Sequence, residues 1–207
     1  MGDYTLQPAS TLVVGMHGSG KTTFAFRYLL NAECVCRFIF DDMGRAATRL
    51  RVRPAYTARE LELSLASRWC VFNPHRMFPG ETDQAFKFFC QWVYDVSKRG
   101  PGKKLVLVDE VWQWVSPHAI PREFAQMVQA GREENIELVS CTQMPHRLNS
   151  SMVGQATELV CFRLQGHLAL DCVELFGVDR DTVSKLPLGT FYALNCLTSD
   201  TLSGRVF

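Results

Sequence analysis

The stretch GMHGSGKT, residues 15–22, constrains the fold of this chain more than any other part of its sequence. It fits the pattern G-x-x-x-x-G-K-[ST] at every position, follows the apolar run TLVV (residues 11–14), and precedes a helical pattern that reaches about Leu30. A glycine-rich turn between a strand and a helix lets successive backbone N–H groups point at an anion, and the helix N-terminus adds a positive dipole end. The pattern therefore predicts a nucleoside triphosphate site, with Lys21 at the outer phosphates and the Thr22 hydroxyl on Mg²⁺. The alternative is a glycine-rich helix start that binds nothing.

A second motif, KLVLVDEVW at residues 104–112, places two carboxylates directly after an apolar strand. Open α/β sheets bind ligands at the carboxyl ends of their strands, so Asp109 is expected to hold the Mg²⁺ and Glu110 to accept a proton from an attacking water. The alternative is an acidic strand end that only solvates a turn. The predicted nucleotide ligands are Gly15, His17, Gly18, Ser19, Gly20, Lys21, Thr22 and Thr23.

The adjacent Glu110 favours hydrolysis over the other reactions of such sites. A kinase of small metabolites needs no base for water at this position, and a GTPase is expected to carry an N-K-x-D motif, which the sequence lacks. An ATPase that uses ATP and Mg²⁺ is therefore predicted, although no residue argues for adenine directly.

Short apolar runs alternate with helical patterns along the 207 residues, which is typical of a parallel α/β sheet. The predicted fold is α/β, of the RecA/ASCE-like P-loop NTPase kind, as a single motor domain over residues 1–207. A central, mostly parallel sheet is flanked by helices and ends in a C-terminal β-hairpin formed by residues 191–206. The arginine-rich stretch at residues 44–60 has no clear pattern. The aromatic residues of QWVYDVS and VWQWVS are expected in the core and at interfaces, with stacking on bases as the alternative.

Composition limits the compartment and the partners. No apolar run approaches the roughly 18–20 residues that a membrane span needs, and the N-terminal residues MGDYTLQPAS do not resemble a secretion signal. The eight cysteines include no C-x-x-C pair and are expected to be reduced thiols in a cytosolic protein. Because the net charge is only +1, any contact with nucleic acid must be local.

A third motif is ELVSCTQMPHRLN, residues 137–149, in which an apolar strand ends on Thr142 and Gln143 before a Met-Pro break. Together with the two motifs above, and with ATELVCFRLQ and LFGVDRDTVSKLPLGTFYAL further on, it resembles the FtsK–HerA superfamily of ring-forming, ATP-driven DNA pumps. The resemblance extends from about residue 11 to residue 196, with Val183 in place of a family leucine. Since the chain is short and shows none of the extra domains of other members, it is similar to the genome-packaging ATPases of tectivirus-like, membrane-containing icosahedral viruses.

The resemblance implies roles for several residues. The strand that ends at Gln143 would lie between the strand before the loop and the strand before Asp109, and Gln143 would sense the γ-phosphate; capping of a strand end is the alternative. Arg132 would be an arginine finger that enters a neighbouring subunit's site, unless it only complements a helix dipole. Arg163 is the rival for this role, and Arg147 is a third candidate that is equally well explained as a loop residue near DNA.

A finger acting between subunits implies a ring, expected to be a homohexamer around double-stranded DNA that is bound without sequence specificity. Capsid-vertex or membrane-associated packaging proteins are further expected partners, and the location would be the infected cell's cytoplasm or the virion. The alternatives are a plasmid- or conjugation-type DNA pump, a filamentous-phage assembly ATPase, which the lack of a membrane span disfavours, and an ATP-dependent protein-binding switch. The candidate DNA contacts, which are otherwise a solvated basic edge, are Arg45, Arg49, Arg51, Arg53, Lys98, Arg99, Lys103 and Lys104.

Overall fold

The computed structural model describes residues 10–207. The strands are β1 (Ser10–Val14), β2 (Cys36–Phe40), β3 (Trp69–Phe72), β4 (Lys104–Val108), β5 (Ile136–Thr142), β6 (Glu158–Phe162), β7 (Thr190–Asn195) and β8 (Thr201–Arg205). The α-helices are α1 (Lys21–Asn31), α2 (Arg45–Leu50), α3 (Ala58–Ser64), α4 (Thr82–Ser97), α5 (Arg122–Ala130), α6 (Ser150–Gly154), α7 (His167–Glu174) and α8 (Arg180–Ser184). The expectation that no secretion signal is present rests on the N-terminal residues, and residues 1–9 lie outside the described part.

The strands form one eight-stranded sheet in the order β3-β2-β4-β5-β1-β6-β7-β8. The pairs β2–β3, β2–β4 and β1–β6 are parallel, whereas β6–β7 and β7–β8 are antiparallel. The predicted α/β fold with a mostly parallel sheet and a C-terminal hairpin is confirmed. Strand β5 lies between β4 and β1, as the resemblance implied.

The chain divides into two compact units. Among the described residues, the first contains Asn31–Val108 and Pro121–Leu138, and the second contains Ser10–Leu30, Asp109–Ile120 and Val139–Phe207. The assignment of residues 1–207 to a single motor domain stays a prediction.

The core of the first unit is aromatic. Every residue of β4 is buried, which explains its unbroken apolar run, and α4 turns apolar residues at helical spacing towards the sheet. Phe40 contacts the ring of Phe86 at 5.3 Å and that of Phe89 at 5.5 Å between centroids, and Phe86 contacts Phe124 of α5 at 5.2 Å. These edge and tilted arrangements are the ones that aromatic quadrupoles favour.

The arginine-rich stretch of the first unit, ambiguous in the sequence, folds because two side chains cap its helices. The Asp41 carboxylate accepts hydrogen bonds from the backbone N–H groups of Ala46 and Ala47, at 3.0 and 2.9 Å, and thereby anchors the first turn of α2. The Thr57 hydroxyl accepts one from the Glu60 N–H at 3.2 Å at the start of α3.

The core of the second unit is built on β1, β6 and β7. Every residue of β1 except Ser10 is buried, and Thr11 pairs with Glu158 at the start of the parallel β1–β6 ladder. Phe24 of α1 packs its edge against Phe191 of β7, with 5.1 Å between ring centroids, and against Phe162 of β6 at 6.0 Å. Helix α1 is therefore held over these strands directly behind the glycine-rich loop.

Helix α5 begins after a proline and ends in a tighter turn. Proline is favoured in the first turn of a helix, but Pro121 has the extended ψ of 135° and is the N-cap. The helix itself ends at Ala130 and continues as a 3-10 turn, Gly131–Glu134.

Among residues 10–207, none of the helices has both the length and the apolarity needed to cross a bilayer.

Candidate active site

The loop between β1 and α1 has a backbone that requires glycine at two positions. Gly18 and Gly20 have φ of +71° and +119°, a region that residues with a Cβ rarely adopt. The loop also begins under restraint: the Gly15 N–H donates to the Thr142 carbonyl at 3.3 Å, and the Met16 N–H donates to the Arg163 carbonyl at 2.8 Å. The ends of β5 and β6 therefore hold the first residues of the loop in place.

The inside of the loop has no room for larger residues. A Cβ added to Gly15 would lie 2.6 Å from the Phe162 Cβ and 2.6 Å from the Ser19 hydroxyl oxygen. A Cβ on Gly20 would lie 2.9 Å from Phe162 and 2.9 Å from Val206. Close packing thus explains Gly15 and Gly20, and backbone conformation explains Gly18 and Gly20.

Two polar groups of the loop fit a bound phosphate. The Ser19 hydroxyl is buried without a hydrogen-bond partner among the described residues, which is costly unless a ligand supplies one. Lys21 is only 5% exposed, and its Nζ donates to the Met16 carbonyl, an uncharged acceptor, at 3.0 Å. Of the other predicted nucleotide ligands, His17 is exposed and Thr23 is half-buried.

Thr22 and Asp109, predicted to hold Mg²⁺, are in contact. The Thr22 hydroxyl donates to Asp109 Oδ2 at 3.1 Å. Burial and then the charge of Glu110 raise the pKa of the Asp109 carboxyl, while the Thr22 hydrogen bond acts in the opposite direction. The Thr22 hydroxyl and the buried Asp109 carboxylate supply oxygen ligands that suit Mg²⁺. This ion takes one or two protein oxygens and completes its coordination shell with phosphate and water.

Glu110 is held in an unusual conformation. Its φ and ψ are 50° and 46°, in the left-handed region, which costs a residue with a Cβ roughly 1–2 kcal/mol. Its carboxylate accepts one hydrogen bond on each oxygen, from Trp112 Nε1 at 2.8 Å and from Gln143 Nε2 at 2.9 Å. Strain of this kind is typical of functional positions, where the surrounding contacts over-determine the geometry.

Gln143, the residue after β5, therefore touches the carboxylate predicted to be the base. Thr142 is fully buried, and its hydroxyl accepts from the Met144 N–H at 3.0 Å, so the chain turns sharply after the strand. The structure brings Gln143 and Glu110 together, and the role of Gln143 as a γ-phosphate sensor stays a prediction.

The three candidate finger arginines have different surroundings. Arg163 is half-buried, and its Nε donates to the Leu186 carbonyl. Arg132 is half-buried in the 3-10 turn of the first unit. Arg147 is exposed, with its guanidinium 5.6 Å from the centre of the Trp112 ring. None of these surroundings selects the finger, so this role stays a prediction for each.

Sequence reasoning missed Trp112 as a residue of the site. The pattern VWQWVS favours core or interface positions for its aromatics, yet the Trp112 indole N–H donates to Glu110. The available signal was its place two residues after the predicted base, within a short turn.

Comparison with known proteins supports the fold. No protein-family model and no curated protein matches the sequence. The genome packaging NTPase B204 from Sulfolobus turreted icosahedral virus 2, in complex with AMPPCP, matches with a TM-score of 0.73 at 17% identity, over 95% of this chain and 97% of B204. The fold is that of a P-loop NTPase.

Two further solved structures extend the comparison. The plasmid coupling protein TrwB, in complex with the GTP analogue GDPNP, matches with a TM-score of 0.64 at 9% identity, over 97% of this chain and 86% of TrwB. B204 from Sulfolobus turreted icosahedral virus matches with a TM-score of 0.67 at 14% identity, over 97% of this chain and 98% of B204. These likenesses confirm the predicted resemblance, and at such identities they establish the fold alone.

Proposed function

We propose that this protein is an ATPase that moves double-stranded DNA and packages a viral genome into a preformed capsid. The observation that carries the proposal is the likeness in fold, over 95% of the chain, to the genome packaging NTPase B204. The loop with its buried Lys21, and the two carboxylates Asp109 and Glu110 behind it, support the hydrolytic part. The protein would act in the cytoplasm of an infected cell or at the packaging vertex of a virion.

In the proposed reaction the protein positions the triphosphate and activates a water. The loop N–H groups, the Ser19 hydroxyl and Lys21 bind phosphate oxygens, which supplies preorganised positive charge where negative charge develops. Thr22 and Asp109 would hold Mg²⁺, which neutralises part of the phosphate charge when bound. Glu110 accepts the proton of the attacking water, and the bonds from Trp112 and Gln143 fix which way its carboxylate faces.

The DNA contacts are proposed for the arginine segment, residues 45–53. Arg45 and Arg49 are one helical turn apart in α2, and the arginine at position 51 ends that helix with φ of +53°. All three side chains and that of Arg53 are exposed. The Asp41 carboxylate anchors the first turn of α2, the helix that carries Arg45 and Arg49, and a cluster of exposed cations suits sequence-independent contact with phosphates.

The other basic candidates, near residues 98–104, are largely engaged within the first unit. Lys103 pairs with Glu137 at 3.0 Å, and the Arg99 guanidinium pairs with Glu62. Lys104 is only 5% exposed and donates to two backbone carbonyls, so its prediction as a DNA contact is wrong. Lys98 lies over the Tyr94 ring at 4.2 Å. The arginine segment is therefore the better candidate.

The experiment is a steady-state ATPase assay with and without duplex DNA, at several protein concentrations. A ring motor predicts stimulation by DNA and a specific activity that rises steeply with protein concentration. A DNA-indifferent rate that is linear in protein would refute the motor and leave the protein-binding switch. GTP assayed in parallel tests whether the site prefers an adenine or a guanine nucleotide, which no residue of the site decides.

A homohexameric ring with a shared active site is the finer part of the proposal. Mixing Arg132→Ala subunits with Glu110→Gln subunits is expected to restore some activity, because a mixed ring contains interfaces with both residues intact. The same mixture with Arg163→Ala tests the rival. If neither mixture recovers activity above the separate variants, the finger acts within its own subunit or is another residue.

A plasmid- or conjugation-type DNA pump is the second candidate, favoured by the likeness to TrwB. Both candidates move DNA, so the assay above does not separate them. Co-purification of this protein with capsid-vertex or membrane-associated packaging proteins from infected cells favours packaging. Conjugation is favoured if none of these proteins co-purifies and the protein instead retains complexes of single-strand-nicked plasmid.

A further inference from the structure

Two loops of the second unit are joined by a ladder of side-chain contacts. One loop follows β4 and contains the predicted base; the other follows β5 and contains the Met-Pro break. The three contacts are Gln143 Nε2 to Glu110 Oε1 at 2.9 Å, the Arg147 guanidinium over the Trp112 ring at 5.6 Å, and Asn149 Nδ2 to the Pro117 carbonyl at 3.1 Å.

Trp112 occupies the centre of this ladder. Its indole edge donates to Glu110 Oε2 at 2.8 Å, and its face receives the Arg147 cation. An indole N–H has one direction and no acceptor lone pair, so it fixes a carboxylate more strictly than a rotating hydroxyl does. Trp112 is half-buried in a 3-10 turn, Val111–Gln113, which begins directly after Glu110.

Arg147 belongs to the other loop, where it ends the 3-10 turn Pro145–Arg147 and is exposed, whereas Pro145 at the start of that turn is buried. A guanidinium within about 6 Å of an indole ring is attracted to its face. A ligand that draws Arg147 away, such as a DNA phosphate, would therefore release one face of the ring that holds the base.

We propose that Trp112 is a positioning residue for the Glu110 carboxylate and that its contact with Arg147 couples this carboxylate to the loop after β5. The inference rests on the proposed function, because it takes Glu110 as the base. Displacement of Arg147 changes the orientation of Trp112, and this alters how well Glu110 is aligned for water.

The activity test compares Trp112→Phe with the matched control Trp114→Phe, which makes the same change two residues further along the chain. Phenylalanine keeps a ring face for Arg147 and removes the N–H donor. The loss of a hydrogen bond to a charged group predicts a kcat lower by roughly 10- to 100-fold, with nucleotide affinity unchanged. Trp114→Phe is expected to hydrolyse ATP like the wild type.

A second readout needs no turnover. The chain has four tryptophans, so an isotope-labelled sample gives four indole N–H resonances, of which Trp112 is the one missing in Trp112→Phe. Glu110→Gln is expected to shift this resonance and to leave that of Trp114 in place. Arg147→Gln is expected to shift it as well, since the cation leaves the ring face, whereas Arg147→Lys restores most of the wild-type position.

The outcomes separate the inference from the function on which it rests. If the wild type does not hydrolyse ATP, the proposed function fails, and the indole resonance still decides whether Trp112 binds Glu110. If the wild type hydrolyses ATP and Trp112→Phe matches Trp114→Phe in kcat, the positioning role is wrong. If Arg147→Gln leaves the Trp112 resonance unmoved, the coupling is wrong, and so is any DNA effect assigned to it.

Discussion

Gly15→Ala offers a direct test of how tightly the nucleotide loop is packed. The added methyl would lie 2.6 Å from the Phe162 Cβ and 2.6 Å from the Ser19 hydroxyl oxygen. The Phe162 Cβ is attached to the backbone of β6 and moves only with the strand. Since the φ of Gly15 is outside the left-handed region, the cost comes from the collision alone.

The magnitude follows from this geometry. Overpacking a well-packed site costs about 1–3 kcal/mol, and a collision with an immobile atom belongs in the upper half of that range. With an m-value of about 2 kcal/mol per M urea, the unfolding midpoint is expected to fall by about 1 M. Nucleotide affinity should fall too, because the loop must open at the point where its N–H groups converge.

The assays are urea unfolding followed by circular dichroism and nucleotide binding by calorimetry. Gly80→Ala is the control: its φ is +78° and no atom lies within 4 Å of an added Cβ, so it carries conformational strain without a collision. It is expected to cost about 1 kcal/mol of stability and nothing in nucleotide affinity. If Gly15→Ala unfolds at the wild-type midpoint and binds nucleotide equally well, the reasoning from close packing is refuted.

Three further predictions concern other charges of the molecule. Asp109→Asn should raise the Tm of the nucleotide-free protein near neutral pH. Folding raises the pKa of the Asp109 carboxyl, so the wild type loses stability as the pH rises through that pKa. Below the ordinary value of 3.8 the Tm values of the two proteins should converge. An unchanged or lower Tm at neutral pH would contradict the cause given for that pKa. Replacing Arg45 and Arg51 with Gln should reduce the slope of log K for DNA against log salt by about one for each phosphate that is no longer neutralised. Replacing Arg68, an exposed arginine that directly precedes β3, is the control and should leave this slope unchanged. Lys21→Ala should abolish ATP hydrolysis while the protein stays folded, and normal turnover by this variant would overturn the site.

The elements with strong local signals were predictable from the sequence. Two short patterns leave few alternatives because of their chemistry: the loop at residues 15–22 and the apolar strand before Asp109. The structure has a strand, a loop and a helix around residues 15–22, and the strand before Asp109 is fully buried. The position of β5 between β4 and β1 required the family resemblance, because strand order depends on pairings between residues far apart in the sequence.

Features set by tertiary contacts were not predictable in the same way. The arginine-rich stretch becomes helical because Asp41, which precedes it at the end of β2, caps α2, and no periodicity signals that bond. The left-handed Glu110 has no sequence signature, since its strain is held by Trp112 and Gln143. Lys104 resembles a surface charge in the sequence, yet the strand that it begins is buried throughout.

The glycine-rich loop is supported by residues that lie far from it in the sequence. The Gly189 N–H donates to the Ser19 carbonyl at 3.0 Å, and the Val206 N–H donates back to the Gly189 carbonyl at 2.7 Å. Val206 is itself buried beside Gly20. During synthesis, therefore, the loop leaves the ribosome before the residues that support it, and it lacks these contacts until Gly189 and Val206 have followed. Changes near Val206 would accordingly disturb the phosphate site, although they lie far from it in the sequence.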